Sequence, residues 1–571
     1  MARSPLAVAR ARLRGDRTLQ AVLALVALAL LARFVLLGAR VAHFDEGRVA
    51  YWTLEYLRTG EFHYRYIIHG PFIQHLNVRV FSLLGATDFA TRVVVALVGG
   101  LLPASALLFR ERLRDLEVAI LAGFLAFNPV ILYYSRFSRS TLLVAAFAFV
   151  AFGFFLRTYD GHGPRSFHLG VLFLAVAFAS KENAIVYVLC WLGASGLLLD
   201  HFLFRPGAGE GGLARAKRAL AGYDTDDARA VVIHGLLGLA LFALVSLYFY
   251  APRNPNGLGL WSALFSPGAL PELVAATADD IAVGYGYWLG GPASSEDLAG
   301  EFITRLGQFM EATVLYAAPL FSMAVVGFLA ERWVADEPRS LVMFASYWGF
   351  VSVLGYPLGT DIWGAWIIVN ALVPLTIPAA VGLTLVVDAG IDAYESEDAV
   401  SVGAVGVICL VLAAQGGFAA YSGVYAAPTS ADNELVQYAQ PSQELRAILD
   451  DTRGVADATQ GPDVLVYGEK YVDGDETAER TPACLKWFES LPLAWYFEAD
   501  GMDVTCATET TGLPDELPPI VFAEAEVRNG EYVAPAELRE RAEAEGYEKR
   551  TFMLRTTAKP MVVYLDAEST E

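Results

Sequence analysis

The chain has 571 residues, is 55% hydrophobic, carries a formal net charge of −21 and has a mean hydropathy of +0.43. That balance excludes a plain string of soluble domains, because most of the length goes into apolar stretches of about 20 residues, the span of a bilayer core. A surface this acidic also excludes a nucleic-acid partner.

Taken in chain order, the apolar segments are 19–42, 89–109, 116–135, 140–156, 166–180, 183–200, 229–250, 310–330, 339–356, 362–387 and 400–420. The pair 166–180 and 183–200 is one apolar region interrupted by Lys181 and Glu182. The first segment is too long for a cleaved signal peptide and lacks a small-residue cleavage site. Basic residues before it, in MARSPLAVARARLRGDR, predict a cytoplasmic N-terminus. Alternation then predicts RERLRD (110–115), 157–168 and the ARAKR loop (201–228) inside, all with Arg or Lys. Loops 43–88 and 251–309 and everything beyond 420 fall outside. The domain expectation is a cytoplasmic segment 1–18, a membrane domain 19–420 and an extracytoplasmic domain 421–571.

The first outer loop holds the informative chemistry. HFDEGRVAYW (43–52) places the adjacent acids Asp45 and Glu46 where an apolar segment ends, and VAYWTLEYLRTG continues at helical spacing, with Tyr51 on it. YIIHGPFIQHLNVRVFSLLG follows, and Pro71 is placed to open a second amphipathic helix. Both helices are predicted along the membrane surface, where Tyr and Trp are favoured. Several cations fall on the same side by this topology: Arg92 at the start of the second segment, Arg136 and Arg139 in YYSRFSRST, and Lys181 in SKENA. Guanidinium groups grip phosphate oxygens in a forked geometry and lysine does so as a point charge. A carboxylate base opposite such cations suits transfer of a sugar from a lipid phosphate to a hydroxyl. Duller readings exist for each residue: a solvated helix end for the acids, snorkelling for the arginines, a local salt bridge for Lys181–Glu182, and packing for the two histidines of HGPFIQH.

The tail from 421 carries 30 Asp plus Glu against 12 Lys plus Arg, so −18 of the charge lies there. An acidic exposed surface of this kind favours solubility and is common in salt-loving organisms. DVLVYG (463–468), PPIVFAEAE (518–526), KRTFMLR (549–555) and PMVVYLD (560–566) read as strands, and 485–500 and 534–546 as helices, giving a small α/β domain for binding or scaffolding. Cys484 and Cys506 share this domain, where a disulfide would suit the compartment. Cys190 and Cys409 lie in apolar segments, and no CxxC pair or N-x-[ST] acceptor occurs.

Together the Arg33 segment, HFDEGRVAYW, HGPFIQHL, GATDFATRVVVAL, FNPVILYYSRFSR and SKENA, in that order, resemble the GT-C membrane glycosyltransferases, which include protein O-mannosyltransferases and aminoarabinose transferases. The whole chain with its acidic tail is most similar to an archaeal branch of flippase-activity-associated membrane proteins, linked to dolichol-phosphate-bound glycans. The resemblance implies a GT-C-like α-helical polytopic fold of about eleven transmembrane helices with a C-terminal extracytoplasmic α/β domain. It implies Asp45 as catalytic base with Glu46 its partner, and Arg136, Arg139, Lys181 and Arg92 at the donor phosphate. His69, Tyr51 and Glu182 would line the acceptor or donor pocket. The implied partners are a polyprenyl-phosphate sugar lipid, a glycan or protein acceptor, membrane lipids and proteins of a glycosylation pathway. No cofactor is read from the residues. A divalent metal stays open, because the acid that many relatives carry after the SR motif is replaced here by Ser140 and Thr141. His69–Gly70–Pro71, where lipid A-modifying relatives have Lys before paired prolines, argues against aminoarabinose. The rival reading is a non-catalytic accessory protein for moving lipid-linked glycans.

Overall fold

A computed structural model describes residues 15–66, 69–204, 225–290, 297–360, 362–453, 461–472, 480–509 and 512–566. The basic stretch 1–14 and residues 205–224 of the ARAKR loop lie outside the described residues. The helices, in chain order, are α1 Arg17–Phe34, α2 Phe44–Thr59, α3 Pro71–Leu84, α4 Asp88–Leu101, α5 Asp115–Phe127, α6 Pro129–Tyr134, α7 Ser140–Tyr159, α8 Pro164–Ser180, α9 Ala184–Phe204, α10 Thr225–Tyr250, α11 Leu260–Phe265, α12 Leu270–Gly290, α13 Leu298–Leu329, α14 Ser340–Gly359, α15 Ile368–Glu395 and α16 Ala399–Ala420. The chain divides into two compact units: Met1–Val35 with Phe62–Ile73 and Val94–Ala426, and Leu36–Glu61 with Gln74–Val93 and Ala427–Glu571. The second unit therefore takes most of the first loop as well as the acidic tail.

Eight stretches among the described residues are long and apolar enough to cross a membrane: Arg17–Phe34, Asp88–Phe109, Ser140–Tyr159, Ala228–Tyr250, Leu298–Val334, Ser340–Gly359, Ala365–Glu395 and Ala399–Ala426; all lie in the first unit except the start of the second stretch, up to Val93. Pro164–Ser180 and Ala184–Leu199 are shorter apolar helices. The chain is a multi-pass membrane protein. α15 is buried along most of its length and forms the centre of this unit. α13 crosses it at Gly327 and Gly382, where a Cβ would come within 1.9 and 2.0 Å of the opposing backbone carbonyls of Pro378 and Met323. Small residues at such crossings let backbones approach and pack without a side-chain layer between them.

The segment expected at 116–135 is not one span but two helices, α5 and α6, broken at Asn128–Pro129. Pro129 has no N–H to donate, and the Asn128 side chain accepts from Val130 and Ile131 N–H at 3.1 and 3.2 Å. The carbonyls of Leu125 and Ala126 thereby lose their helical donors. Arg33, fully buried, supplies them: Nη1 donates to Ala126 O at 2.8 Å and Nη2 to Leu125 O at 3.2 Å. A cation at a helix C-terminus also meets the negative end of its dipole. Arg136 does the same for α1, with Nη1 on the carbonyls of Ala32, Arg33 and Val35 at 2.6–3.0 Å and its guanidinium 4.8 Å from the Tyr425 ring centre.

The second unit is built on a five-stranded sheet in the order β2-β1-β3-β7-β6, with β1 Val464–Tyr467, β2 Val504–Ala507, β3 Ile520–Glu524, β6 Glu548–Arg555 and β7 Ala558–Leu565. β1 runs parallel to β2 and β3, and β7 antiparallel to β3 and β6. β4 Glu526–Arg528 and β5 Glu531–Val533 form a separate hairpin. The helices here are α17 Glu444–Asp451, α18 Trp487–Ser490, α19 Leu493–Asp500 and α20 Ala536–Ala544. The stretch 485–500 is thus two short helices, with Pro492 between them. Cys484 and Cys506 form a disulfide. One continuous core joins Trp495, Phe497 and Phe522 to Ala42, Ala50, Tyr51, Leu54 and Phe81 of the first loop. Phe81 stacks on Trp495 at 5.8 Å, and Tyr496 Oη accepts from Ala42 N–H at 2.7 Å and donates to Asp88 at 2.9 Å. The tail is therefore packed around the loop helices, not appended beyond them.

Replacing Arg33 by Leu strands the Leu125 and Ala126 carbonyls in an apolar interior, at about 1–3 kcal/mol for each unpaired group. The expected result is a lower melting temperature for the purified protein in detergent; an unchanged one would show that the break at Asn128–Pro129 needs no cation.

Candidate functional site

Of the residues singled out in the sequence, Asp45, Glu46, Tyr51 and Arg92 belong to the second unit, and His69, Arg136, Arg139, Lys181 and Glu182 to the first.

In the second unit, α2 begins with a capping box. His43 Nδ1 accepts from Asp45 N–H at 3.0 Å, and Glu46 Oε2 accepts from His43 N–H at 3.0 Å. Such reciprocal caps satisfy the donors a helix start leaves open. Glu46 has no exposed surface. Arg92 grips it in a fork, Nε at 2.8 Å from Oε1 and Nη2 at 2.9 Å from Oε2, and Arg40 Nη2 adds a bond of 2.9 Å. Arg92 Nη1 also donates to the carbonyls of Leu37 and Arg40 at 3.0 and 2.8 Å, and Arg40 Nη1 to Gln440 Oε1 at 2.8 Å. Burial alone would raise the Glu46 carboxyl's pKa, but the Arg40 and Arg92 charges overcome it and hold the group well below the usual carboxylate range. Glu46 and Arg92 consume one another, so neither presents a face to substrate. Asp45, one residue earlier, keeps 27% of its side chain exposed. Tyr51 is also withdrawn: it is 1% exposed, its hydroxyl accepts from Thr481 N–H at 2.7 Å, and its ring packs edge-on against Trp487.

In the first unit three motifs separated in sequence meet. His69 Nδ1 lies 3.2 Å from Ser140 Oγ, which joins HGP to the SR motif. Gly70 N–H donates to Ser180 O at 2.9 Å, which joins HGP to SKENA. A Cβ at Gly70 would sit 2.4 Å from Ala179 O, so only glycine allows this approach. Arg139 lies over the Trp366 ring at 3.9 Å. Arg136, expected at the donor phosphate, is largely taken up in capping α1, as described above. Glu182 is 2% exposed and carries no ion pair with Lys181; both carboxylate oxygens lack a hydrogen-bond partner. Burial pushes its carboxyl up to about 7.

Among the described residues no three His, Cys, Asp or Glu side chains gather to hold a metal. His69 faces Ser140, whereas His75 packs edge-on against Tyr56. These residues do not make a divalent-metal site, and no step below depends on one. Sequence reasoning missed Arg40 and Gln440, which the fold brings together across 400 residues, and the pairing of His69 with Ser140.

The structure is similar to that of ArnT from Cupriavidus metallidurans in the apo state, with a TM-score of 0.53 at 14% identity, covering 97% of this chain and 100% of that one. The same protein bound to undecaprenyl phosphate gives 0.53 at 15% identity, over 96% and 99%. The Archaeoglobus fulgidus oligosaccharyltransferase in its apo form gives 0.50 at 14%, over 87% of this chain and 65% of that one. The fold is GT-C. Residues 445–566 match the Agl23 flippase-associated protein C-terminal domain. No curated protein matches the chain by sequence. The GT-C-like fold and the family match of residues 445–566 thus agree with the resemblance read from the motifs, and the β1–β3, β6 and β7 sheet lies inside the matched region.

Truncating Glu46 to Ala removes the carboxylate that two buried guanidiniums share. Losing one partner of a buried pair costs about 3–5 kcal/mol, so the full chain should melt markedly lower or fail to accumulate. Because the folded-state pKa of Glu46 is depressed below its ordinary value of 4.5, its contribution should be complete above that pH and fade only as the pH falls below it. An Ala variant as stable as the parent at neutral pH would refute the assignment.

Proposed function

We propose that this chain is a membrane glycosyltransferase that passes a sugar from a polyprenyl, or dolichyl, phosphate donor to a glycan or protein acceptor at the outer face of the plasma membrane. The observation that carries the reading is the convergence of His69–Gly70, Ser140 and Ser180 in a GT-C fold. It sets the cations Arg139 and Lys181 each one residue along the chain from a contact of that junction. Their role is to meet the donor phosphate, Arg139 as a planar fork and Lys181 as a point charge. Asp45 alone acts as base, since Glu46 is enclosed. In the reaction the acceptor oxygen attacks the anomeric carbon as Asp45 takes its proton. The bond from that carbon to the phosphate oxygen breaks, the configuration inverts, and polyprenyl phosphate leaves with its charge held by the two cations. The fold's likeness to ArnT, a structure of which holds undecaprenyl phosphate, supports a lipid-phosphate ligand. The topology proposed with it puts the N-terminus in the cytoplasm and the acidic domain outside, following the basic bias of the intervening loops.

A second reading is favoured by the flippase-associated match at 445–566. In it the same cations bind the lipid phosphate, Asp45 only shapes the site, and the chain assists passage of lipid-linked glycans without transferring sugar.

Asp45→Asn separates the two. Losing a general base lowers transfer by about 10²–10⁴-fold, with protein level and lipid binding near those of the parent. Normal glycan transfer in cells carrying only Asp45→Asn would sink the transferase reading. For the phosphate, Lys181→Met should weaken binding of a short-chain polyprenyl phosphate about ten- to a hundredfold, the worth of one hydrogen bond to a charged group. Parent-like titration curves would move the phosphate away from SKENA.

A further inference from the structure

Glu182 and its neighbours carry an imbalance that the reaction above does not use. Both carboxylate oxygens of Glu182, the side-chain carbonyl of Asn183 and the hydroxyl of Tyr64 are buried without a hydrogen-bond partner. Three orphaned acceptors on two successive residues are unusual, since the large majority of buried polar side-chain atoms find a partner. The walls around them are aromatic. Tyr64 meets Tyr250 edge-on at 4.8 Å, and Tyr250 spends its own hydroxyl on Phe178 O at 2.7 Å. Phe249 and Tyr250 cluster with Ala179, three residues before Glu182, and Tyr64 and Phe72 pack against that cluster. α12 lies against Tyr64: a Cβ at Gly284 would come within 2.8 Å of its hydroxyl, and Tyr287 packs on Tyr66 at 4.9 Å. All of these residues belong to the first unit, and Gly70 fixes the adjoining turn through Ser180.

What fits is a ligand that brings several hydrogen-bond donors within the width of one carboxylate and tolerates ring faces. A pair of adjacent hydroxyls does both: each O–H donates to one carboxylate oxygen, and the apolar C–H face of the same ring lies on tyrosine. A metal ion would need further acidic or imidazole ligands, and among the described residues none gather.

We propose that Glu182, with Asn183 and Tyr64, forms a sugar subsite in which the carboxyl group accepts hydrogen bonds from two vicinal hydroxyls of a hexose. The proposal rests on the glycosyltransferase reading for the origin of that sugar, which is either the donor's or the acceptor's. Its chemistry is independent of who supplies it.

The test uses the full chain in nanodiscs, with three probes titrated against the parent, Glu182→Leu and Tyr64→Phe: a short-chain polyprenyl phosphate, the same lipid carrying a hexose, and a free methyl hexoside. Glu182→Leu is expected to weaken a sugar-bearing probe about ten- to a hundredfold and leave the bare lipid phosphate unchanged, with Tyr64→Phe weaker in the same sense. Loss confined to the hexosyl lipid assigns the donor sugar; loss with the methyl hexoside assigns the acceptor. Equal weakening of the bare phosphate, or no weakening of either sugar probe, overturns the subsite. A parent that binds the hexoside through Glu182 but ignores polyprenyl phosphate would keep the subsite and remove the transferase reading.

Discussion

The fold around the acid pair depends on one buried carboxylate. Glu46 has no access to water, and a carboxylate in that position is tolerable only if its charge is matched and its lone pairs are filled. Arg92 and Arg40 do the first, and His43 N–H helps with the second. The fork from Arg92 is planar and bidentate, so it fixes direction as well as charge. Because the same carboxylate closes the capping box of α2, the start of that helix is pinned to the start of α4. Asp45 sits in the first turn and inherits this rigidity. Two adjacent acids therefore do different work: one is spent on holding the backbone, and the other keeps an exposed face.

The same logic governs the interior of the first unit. Apolar surroundings punish every unpaired backbone carbonyl, and the Asn128–Pro129 break creates two. The chain answers with arginine side chains, whose N–H groups donate to such carbonyls. Arg33 closes the end of α5 and Arg136 the end of α1, each through carbonyl oxygens, with Tyr425 adding a hydroxyl to Ala32 O at 2.6 Å. Ionisable groups at membrane depth invite a functional reading by default; here two of the most conspicuous ones are helix caps. Arg139, stacked on Trp366, and Lys181 are the cations proposed for the phosphate.

Much of the fold was legible because the signals are local. Eight of the eleven apolar segments correspond to stretches long enough to span, while 116–135, 166–180 and 183–200 are broken or shorter helices, and short runs rich in apolar residues point to β1, β3, β6 and β7. β2 was missed: Val504–Ala507 is four residues in a stretch flanked by polar residues, and its strand character comes from pairing with β1. The segment at 116–135 was misjudged as continuous, although Asn-Pro in its middle is a recognisable stop signal. Site residues were harder. Asp45 and Glu46 look alike in sequence, and only the two arginines, one of them 46 residues away, tell them apart. The meeting of HGP, SR and SKENA had a trace in the sequence, a glycine and small hydroxyls at each, but no periodicity reports a contact made across a bundle.

The second unit is assembled from pieces made at very different moments. Arg40 and Ala42 find Gln440 and Tyr496 some 400 and 454 residues later in the chain. At about 5–20 residues per second, the ribosome needs roughly 20–90 s to deliver those partners. Throughout that interval α2 and α3 have no tail to pack on, while the pairing of Glu46 with Arg40 and Arg92 is already within reach. The order of synthesis thus lets the charged pin form before the hydrophobic core around it is complete.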